Sequence, residues 1–403
     1  MEGSSEPDSS ADPQKLVFII DDQPSALKAI VLLMESLGPG WKIVGYDNPL
    51  EALSAIENQK PDLVLTDFSM PDMLGSDLLE AVRESAPDAV RMVMSGWVDL
   101  NKLSQITSAH QYFTKPFDAL KLKEVVRRTF AARESLQDDA LRQRVVSLRS
   151  LPSLPHVYHA LLTKLADDEG SSEAIAGIVA QDAGLSSKLL HLANSPLFGR
   201  GNQVSDPFEA VLCLGTELIK AVVLSQELYK HFAALKHTEV DIPKLWSHSW
   251  DVAELAQYIG LQTNGSRSQA EAAFLAGLLH EVGIVILVDN FPEQFQSACD
   301  AARMKRSALT PELFNTFHAS APQIGSYLLE LWGMPGNVVS AVAYHEQPEL
   351  DGAAQFPLSA VLYVADQISA RKSPPHAFAV PEWKVEYLQG IGWWDRIPDW
   401  QKA

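Results

Sequence analysis

The chain is 403 residues long, 46% hydrophobic and 21% charged, with a formal net charge of −19. That length exceeds one ordinary core and predicts two or three globular domains. The acidic balance excludes a nucleic-acid backbone as the main partner, because no basic excess is available to displace counterions.

Residues 1–14, "MEGSSEPDSSADPQ", are acidic and rich in Ser and Pro, with no apolar signal core, and read as a disordered tail. Strand and helix patterns then alternate. "KLVFII" (15–20) ends in Asp21–Asp22 and a helix-like stretch begins at Pro24; "WKIVGY" (41–46), "DLVLTD" (62–67), "VRMVM" (90–94) and "QYF" (111–113) follow. Short apolar strands between helices predict a doubly wound, five-stranded parallel sheet over residues 15–130. Chemistry in such sheets sits at the carboxyl ends of the strands. Those ends carry Asp21, Asp22, Asp67, Ser95 and Lys115. Convergent carboxylates repel one another unless a hard cation lies among them, and Mg2+ suits oxygen ligands. The cation also shields an aspartate from an incoming phosphoryl group, so that the carboxylate can act as nucleophile. A hydroxyl and an ammonium then bind the phosphoryl oxygens. Pro116 is read as a tight turn fixing Lys115 inward.

The stretches "FIIDDQ", "PDLVLTDFSMPDMLGSDLLE", "RMVMSGWVDL" and "YFTKPFD", in this order, resemble the response-regulator receiver domain. The resemblance implies that Asp67 is the phosphoacceptor. It implies a Mg2+ site from Asp21, Asp22, Asp67 and the Ser69 main-chain carbonyl. It makes Ser95 the switch hydroxyl, Tyr112 the switch aromatic and Lys115 the phosphate-sensing lysine, with a sensor histidine kinase as donor. Gln23 stands where a further acid is frequent, and the stretch from Ser95 to Lys115 is short.

From Asp118 to Arg149 there is no Pro or Gly, and apolar residues recur at near-helical spacing among many charges. This predicts a last helix of the first domain running into a helical linker, 131–149. Its narrow apolar stripe is read either as a homodimer seam or as a helix packed on its own two domains.

After Pro152 and Pro155 the pattern is helical to about residue 370, and the second domain is placed at 150–403. "IVILVDNF" (284–291) is ambiguous between strand and helix. No segment reads as a long uncharged apolar run, so no membrane span is predicted. Cys213 and Cys299 lack metal-ligand spacing and read as small buried hydrophobes in a reducing cytosol.

"LLHLANSPLFG", "LWSHSWDVAELAQYIG", "EAAFLAGLLHEVGIVIL", "IGSYLLELWGMP" and "VLYVAD" resemble the HDOD domain, an all-helical branch of the HD phosphohydrolase superfamily. Members mostly lack demonstrated catalysis and are thought to act through protein contacts. By the resemblance His248 matches the first histidine of a metal site, His280 the second, Asp366 the distal aspartate, and His345 lies near a later histidine. Glu281 replaces the expected Asp, and Ala321 stands where a further histidine is common; His318 is three residues earlier. One extra methylene displaces a ligand by roughly an ångström, which can cost about a hundredfold in a catalytic site. The expectation is therefore a buried, hydrogen-bonded polar cluster of His248, His280, Glu281, His345 and Asp366, with no catalytic residues and no firmly held transition metal. A single weakly held metal is one alternative, and a receiver-gated, metal-dependent phosphodiesterase or phosphohydrolase is another. His156, His159, His191, His231 and His237 are not read as ligands.

The Trp-rich end "EWKVEYLQGIGWWDRIPDW" (382–400) reads as a packed tail or as an exposed aromatic patch for a partner. The whole chain is thus expected to be a cytoplasmic two-component response regulator. Its output domain would act on a protein partner, and family context points to an enzyme of cyclic-dinucleotide turnover.

Overall fold

A computed structural model describes residues 14–95, 108–135, 172–180, 182–194, 204–232, 240–263, 265–352, 357–375 and 378–402. The expected N-terminal tail up to residue 13, the fourth receiver helix between Ser95 and Lys115, the linker beyond residue 135, and His156 and His159 lie outside the described residues. The chain divides at Phe130 into two compact units, the second also leaving out Arg149–Ser153.

The first unit is built on five parallel strands in the order β2-β1-β3-β4-β5: β1 (Lys15–Ile20), β2 (Trp41–Tyr46), β3 (Leu63–Asp67), β4 (Val90–Ser95) and β5 (Gln111–Thr114). Its helices are α1 (Pro24–Glu35), α2 (Pro49–Gln59), α3 (Gly75–Ser85) and α4 (Ala119–Ser135). The strands read as unbroken apolar runs because both sheet faces are covered. Phe18, Ile20, Val64 and Val93 meet Ile56 of α2 and Leu78, Leu79 and Val82 of α3 on one face. Gly45 turns toward Leu27 and Val31 of α1 on the other. Helix starts are local: α1 and α2 open on Pro, and the Asn48 side chain accepts from the Leu50 and Glu51 amides. Because β1 and β3 are central neighbours, their C-terminal ends bring Asp21 and Asp67 to the same edge. Ser95 and Thr114 are paired at the ends of β4 and β5 beside them.

In the second unit no strand occurs among the described residues. Its helices are α5 (Ser172–Ala180), α6 (Ala183–Ala193), α7 (Pro207–Leu214), α8 (Thr216–Phe232), α9 (Ile242–Gln262), α10 (Arg267–Leu279), α11 (Val282–Asn290), α12 (Pro292–Lys305), α13 (Leu309–Phe317), α14 (Ala321–Leu331), α15 (Gly336–Tyr344), α16 (Leu358–Lys372), α17 (Val385–Gly390) and α18 (Ile397–Trp400). Small residues let the central helices touch. A Cβ on Gly277 of α10 would lie 2.5 Å from Ala253 Cα of α9. The ambiguous "IVILVDNF" run is helical: Val282–Val288 of α11 are all buried, so no polar face marks a helix period. Where α11 crosses α14, a Cβ on Gly283 would lie 1.8 Å from the Ala321 carbonyl oxygen.

Arg267–Asn290 reaches the length and mean hydropathy (1.9) of a membrane span, which the sequence reading did not foresee. The window is 89% buried inside the unit and holds His280 and Glu281, as befits a core helix pair. The Trp-rich tail is packed. Trp393 and Trp400 are buried and meet edge to face at 5.6 Å; Trp383 lies against Tyr363 of α16 and under the Arg371 guanidinium, 4.6 Å from its ring. Lys188 of α6 sets its ammonium 3.7 Å from the Trp246 ring and 4.7 Å from that of Trp250, both on α9.

Candidate functional site

At the C-terminal edge of the sheet, Asp21 and Asp67 are buried. Lys115 Nζ donates to Asp21 Oδ2 at 2.8 Å and also pairs with Asp67 Oδ1. The Ser69 amide donates to Asp67 Oδ2 at 3.2 Å, and the Gln23 amide to Asp21 Oδ1 at 2.9 Å. Lys115 is anchored from behind: its amide donates to the Ser95 carbonyl at 2.7 Å, and its peptide bond to Pro116 is cis. Burial pushes the Asp67 carboxyl up, against the pull of Lys115. Burial alone would lower the Lys115 ammonium, but Asp21 and Asp67 raise it, so the amine stays charged. Ser95 is buried at the end of β4. Tyr112 packs against the core face shared with Phe18, and burial pushes its phenol up. The structure thus gathers Asp21, Asp67, Ser69 and Lys115, with Ser95 next to Lys115.

Sequence reasoning passed over Gly75. A Cβ there would lie 2.2 Å from the Asp67 carbonyl oxygen, so only glycine lets α3 begin this close to the loop after β3. The glycine in "MLGSDLLE", directly before a helical pattern, was the available signal.

The second unit gathers the histidine cluster from five helices. His248 comes from α9, His280 and Glu281 from the α10–α11 junction, His345 from the end of α15, and Asp366 from α16. His248 is held at both nitrogens, Nε2 by Asp366 Oδ1 at 2.9 Å and Nδ1 by Ser369 Oγ at 3.1 Å. His280 donates from Nδ1 to the Gly277 carbonyl at 2.7 Å. Its Nε2 is buried without a hydrogen bond, 3.7 Å from both Glu281 Oε1 and Asp366 Oδ1. That spacing is electrostatic reach but too long for a hydrogen bond. The rings of His248 and His345 lie 5.4 and 5.2 Å from that of His280. His318 is exposed and ends α13, away from service as a ligand. His191 is likewise exposed; nothing is described of the side chains of His231 and His237.

Two family models match the chain. A response regulator receiver domain covers residues 17–127, and an HDOD domain covers residues 151–348. The chain joins a receiver domain to an HDOD domain. The cyclic di-GMP phosphodiesterase response regulator RpfG of Xanthomonas campestris is 27% identical over 207 residues, 46% of this chain. The transcriptional regulatory protein KdpE of Mycobacterium tuberculosis is 33% identical over 125 residues, 30% of this chain. The match spans 54% of the length of each of those two proteins. An HDOD domain protein of unknown function from Geobacter sulfurreducens shares the fold, with a TM-score of 0.50 at 23% identity over 65% of this chain and 87% of that one. Asp366 and the Trp-rich tail lie beyond the stretch matched as HDOD.

The receiver site fits a hard divalent cation: its donors are carboxylate oxygens, and Asp22 Oδ1 is buried without a hydrogen-bond partner. In the HDOD cluster, ligand atoms of His248, His280 and Glu281 lie within 4.8 Å of one another, close enough for one ion. The electrostatics also favour a cluster closed on itself. Burial would raise the Asp366 carboxyl, but His248 and His280 hold it well below the usual range. Burial would lower the His280 imidazolium, but Asp366 and Glu281 raise it to about 9. Burial and His280 together push His345 down, keeping it neutral.

Sequence reasoning also missed Glu346. It accepts from the Thr310 hydroxyl at 2.8 Å, and burial, with repulsion from Glu281 and Asp366, pushes its carboxyl up to about 7. The repeated doublet His280–Glu281 and His345–Glu346 was a legible signal. Each histidine caps a helix and donates from Nδ1 to the carbonyl three residues back.

Proposed function

We propose that Asp67 accepts a phosphoryl group from a sensor histidine kinase, and that the HDOD domain responds by changing its contact with a protein partner, without catalysis of its own. The observation that carries the first part is the Lys115 ammonium held between Asp21 and Asp67. An Asp67 carboxylate oxygen attacks the phosphorus of the kinase phosphohistidine. The P–O bond forms as the P–N bond breaks, and the electron pair leaves on the imidazole. Lys115 and Ser95 would bind phosphoryl oxygens, and Tyr112, half-buried against the core face that holds Phe18, would be the switch aromatic. Asp21, Asp22, Asp67 and the Ser69 carbonyl would hold Mg2+, which supplies charge screening between the acceptor and the phosphoryl group. The added charge then biases a two-state surface of the receiver.

The adaptor reading of the HDOD domain is supported by His248, whose two nitrogens are both held by protein groups, and by Ala321 in place of a ligand. An enzyme of cyclic-dinucleotide turnover as the partner class is part of the same proposal; the Xanthomonas relative, itself named a cyclic di-GMP phosphodiesterase, ties a receiver-bearing protein to that chemistry. A cytoplasmic location, where Cys213 and Cys299 stay reduced, belongs to the same proposal.

A second reading, a metal-dependent phosphohydrolase, is favoured by the unpartnered His280 Nε2 beside Glu281 and Asp366. Labelling with acetyl phosphate tests the phosphoacceptor: wild type is labelled in Mg2+, and Asp67→Asn is not. Undiminished labelling of that variant would sink the assignment. Metal analysis with cyclic-dinucleotide hydrolysis separates the two HDOD readings. Stoichiometric transition metal, with turnover lost in His280→Ala, would replace the adaptor by the enzyme.

A further inference from the structure

Two hollows of the HDOD unit adjoin one another. The first, a cavity of about 370 Å³ over the histidine cluster, is lined by Glu281, His345, Glu346, Asp366 and Glu382 among others. The second, also about 370 Å³, is lined by Phe314, Tyr344 and Leu350 and shares Thr310 and Glu346 with the first.

The wall of the first cavity is rich in acidic and acceptor groups, with Lys384 the one cationic side chain among its lining residues. His345 is 5% exposed, and its Nδ1 lies 2.8 Å from the Val342 carbonyl. A carbonyl only accepts, so Nδ1 carries the proton and Nε2 is a lone-pair acceptor. Among the described residues no hydrogen bond to that Nε2 is found, and the ring lines the cavity. Glu281 and Glu346 add carboxyl oxygens as further acceptors, and Asp366 adds oxygens that it already shares with His248 and His280. Two of the nearby donors are already engaged: Thr310 gives its hydroxyl proton to Glu346, and Lys384 pairs with Glu349, while the neutral donors of Gln347, Gln367 and Tyr363 also line the cavity. Such a wall complements a group that only donates and carries positive charge, an ammonium or a guanidinium.

The second hollow has the opposite character. Phe314, Tyr344 and Leu350 are 52%, 37% and 60% exposed. Single exposed apolar residues are ordinary, but three around one concavity mark a contact surface. An apolar subsite beside an acidic one is not the setting of a bare ion; it suits a side chain with a charged head next to an apolar neighbour.

We propose that the two hollows together seat a peptide segment of a partner protein, with an arginine or lysine side chain entering the acidic cavity and an adjacent apolar side chain packing on Phe314, Tyr344 and Leu350. This rests on the adaptor reading and names the chemistry of its partner. Glu346, on the shared wall, fixes the register between the two subsites.

The test is fluorescence anisotropy with the full chain and labelled hexapeptide pools that carry Arg next to Leu or Phe. Control pools carry citrulline for Arg, or Ser for the apolar residue. The Arg pool should bind at least about tenfold more tightly than either control. Glu346→Gln and Phe314→Ala should each weaken it by about five- to tenfold, with circular dichroism unchanged. Phe314 is exposed, so its variant keeps the test valid if Glu346→Gln misfolds. Equal binding of the Arg and citrulline pools, or no saturable binding of any pool, overturns the proposal. So does stoichiometric Mn2+ binding that is lost in Glu346→Gln and excludes the peptide. A phosphorylation-dependent pull-down undiminished in both variants would sink this surface while leaving the adaptor reading standing. A wild-type chain that captures no partner in either phosphorylation state would sink that reading itself.

Discussion

Gly75 shows how little room the loop after Asp67 has. An alanine methyl there would overlap the Asp67 carbonyl, 2.2 Å away, and crowd Phe68 Cα at 3.0 Å. Gly75→Ala should destabilise the receiver by about 1–3 kcal/mol, the usual range for overpacking, and slow labelling by acetyl phosphate. Urea denaturation and a labelling time course check both; wild-type values in each would mean that the loop yields freely. Glu346 makes a pH prediction. Burial raises its carboxyl from 4.5 to about 7 in the folded protein. A carboxyl raised in this way favours the folded state when protonated. Its contribution is full below about pH 4.5 and is lost as pH rises through about 7. The melting temperature of the HDOD unit, measured in chelator, should therefore fall between pH 5 and 7, and Glu346→Gln should flatten that part of the curve. Parallel curves for wild type and variant would contradict the shift.

The crossing of α11 and α14 is set by Gly283 and Gly325, with the Ala321 carbonyl pressed against the former. Gly283→Ala must push these helices apart, and Glu281 is only two residues away. We expect a loss of at least about 1–3 kcal/mol in stability and a displaced Glu281, visible as a perturbed His280 resonance in NMR titration. An unshifted titration with native stability would refute the coupling. The five strands and the first three helices were legible because strands covered on both faces are short apolar runs, and because Pro24, Asn48 and Pro49 mark helix starts. The element α11 was not legible: a helix buried on every side has no polar face, so its period vanishes. The positions of Asp21, Asp67, Ser95 and Lys115 were readable because each ends or directly follows a strand whose end the pattern locates. The HDOD cluster was readable only through the resemblance, which named His248, His280, Glu281, His345 and Asp366; spacing alone left them as separate residues. Its closure depends on close crossings such as Gly277 on Ala253, which spacing in the chain does not encode. Glu346 escaped for the same reason, since its burial comes from α13 through Thr310.

The tail beyond residue 378 completes the HDOD unit instead of hanging from it. Arg371 donates to the Pro381 carbonyl at 2.6 Å, the Lys384 amide donates to the Tyr363 hydroxyl at 2.7 Å, and Arg396 reaches the Gln262 carbonyl at 2.6 Å. Deleting residues 378–403 removes buried Trp393, Ile397 and Trp400 and should cost about 3–5 kcal/mol or more. A thermal melt that matches the intact chain would show the tail to be dispensable. The packing of that tail has an optical consequence. Of the nine tryptophans, Trp246, Trp250, Trp332, Trp383, Trp393, Trp394 and Trp400 belong to the output half, and only Trp41 and Trp97 precede it. Ultraviolet emission from the unlabelled chain is therefore dominated by the half that would respond, while the proposed phosphoryl group would arrive in the other. A spectral change on adding acetyl phosphate, absent in Asp67→Asn, would make the chain its own fluorescent reporter of the signal it relays.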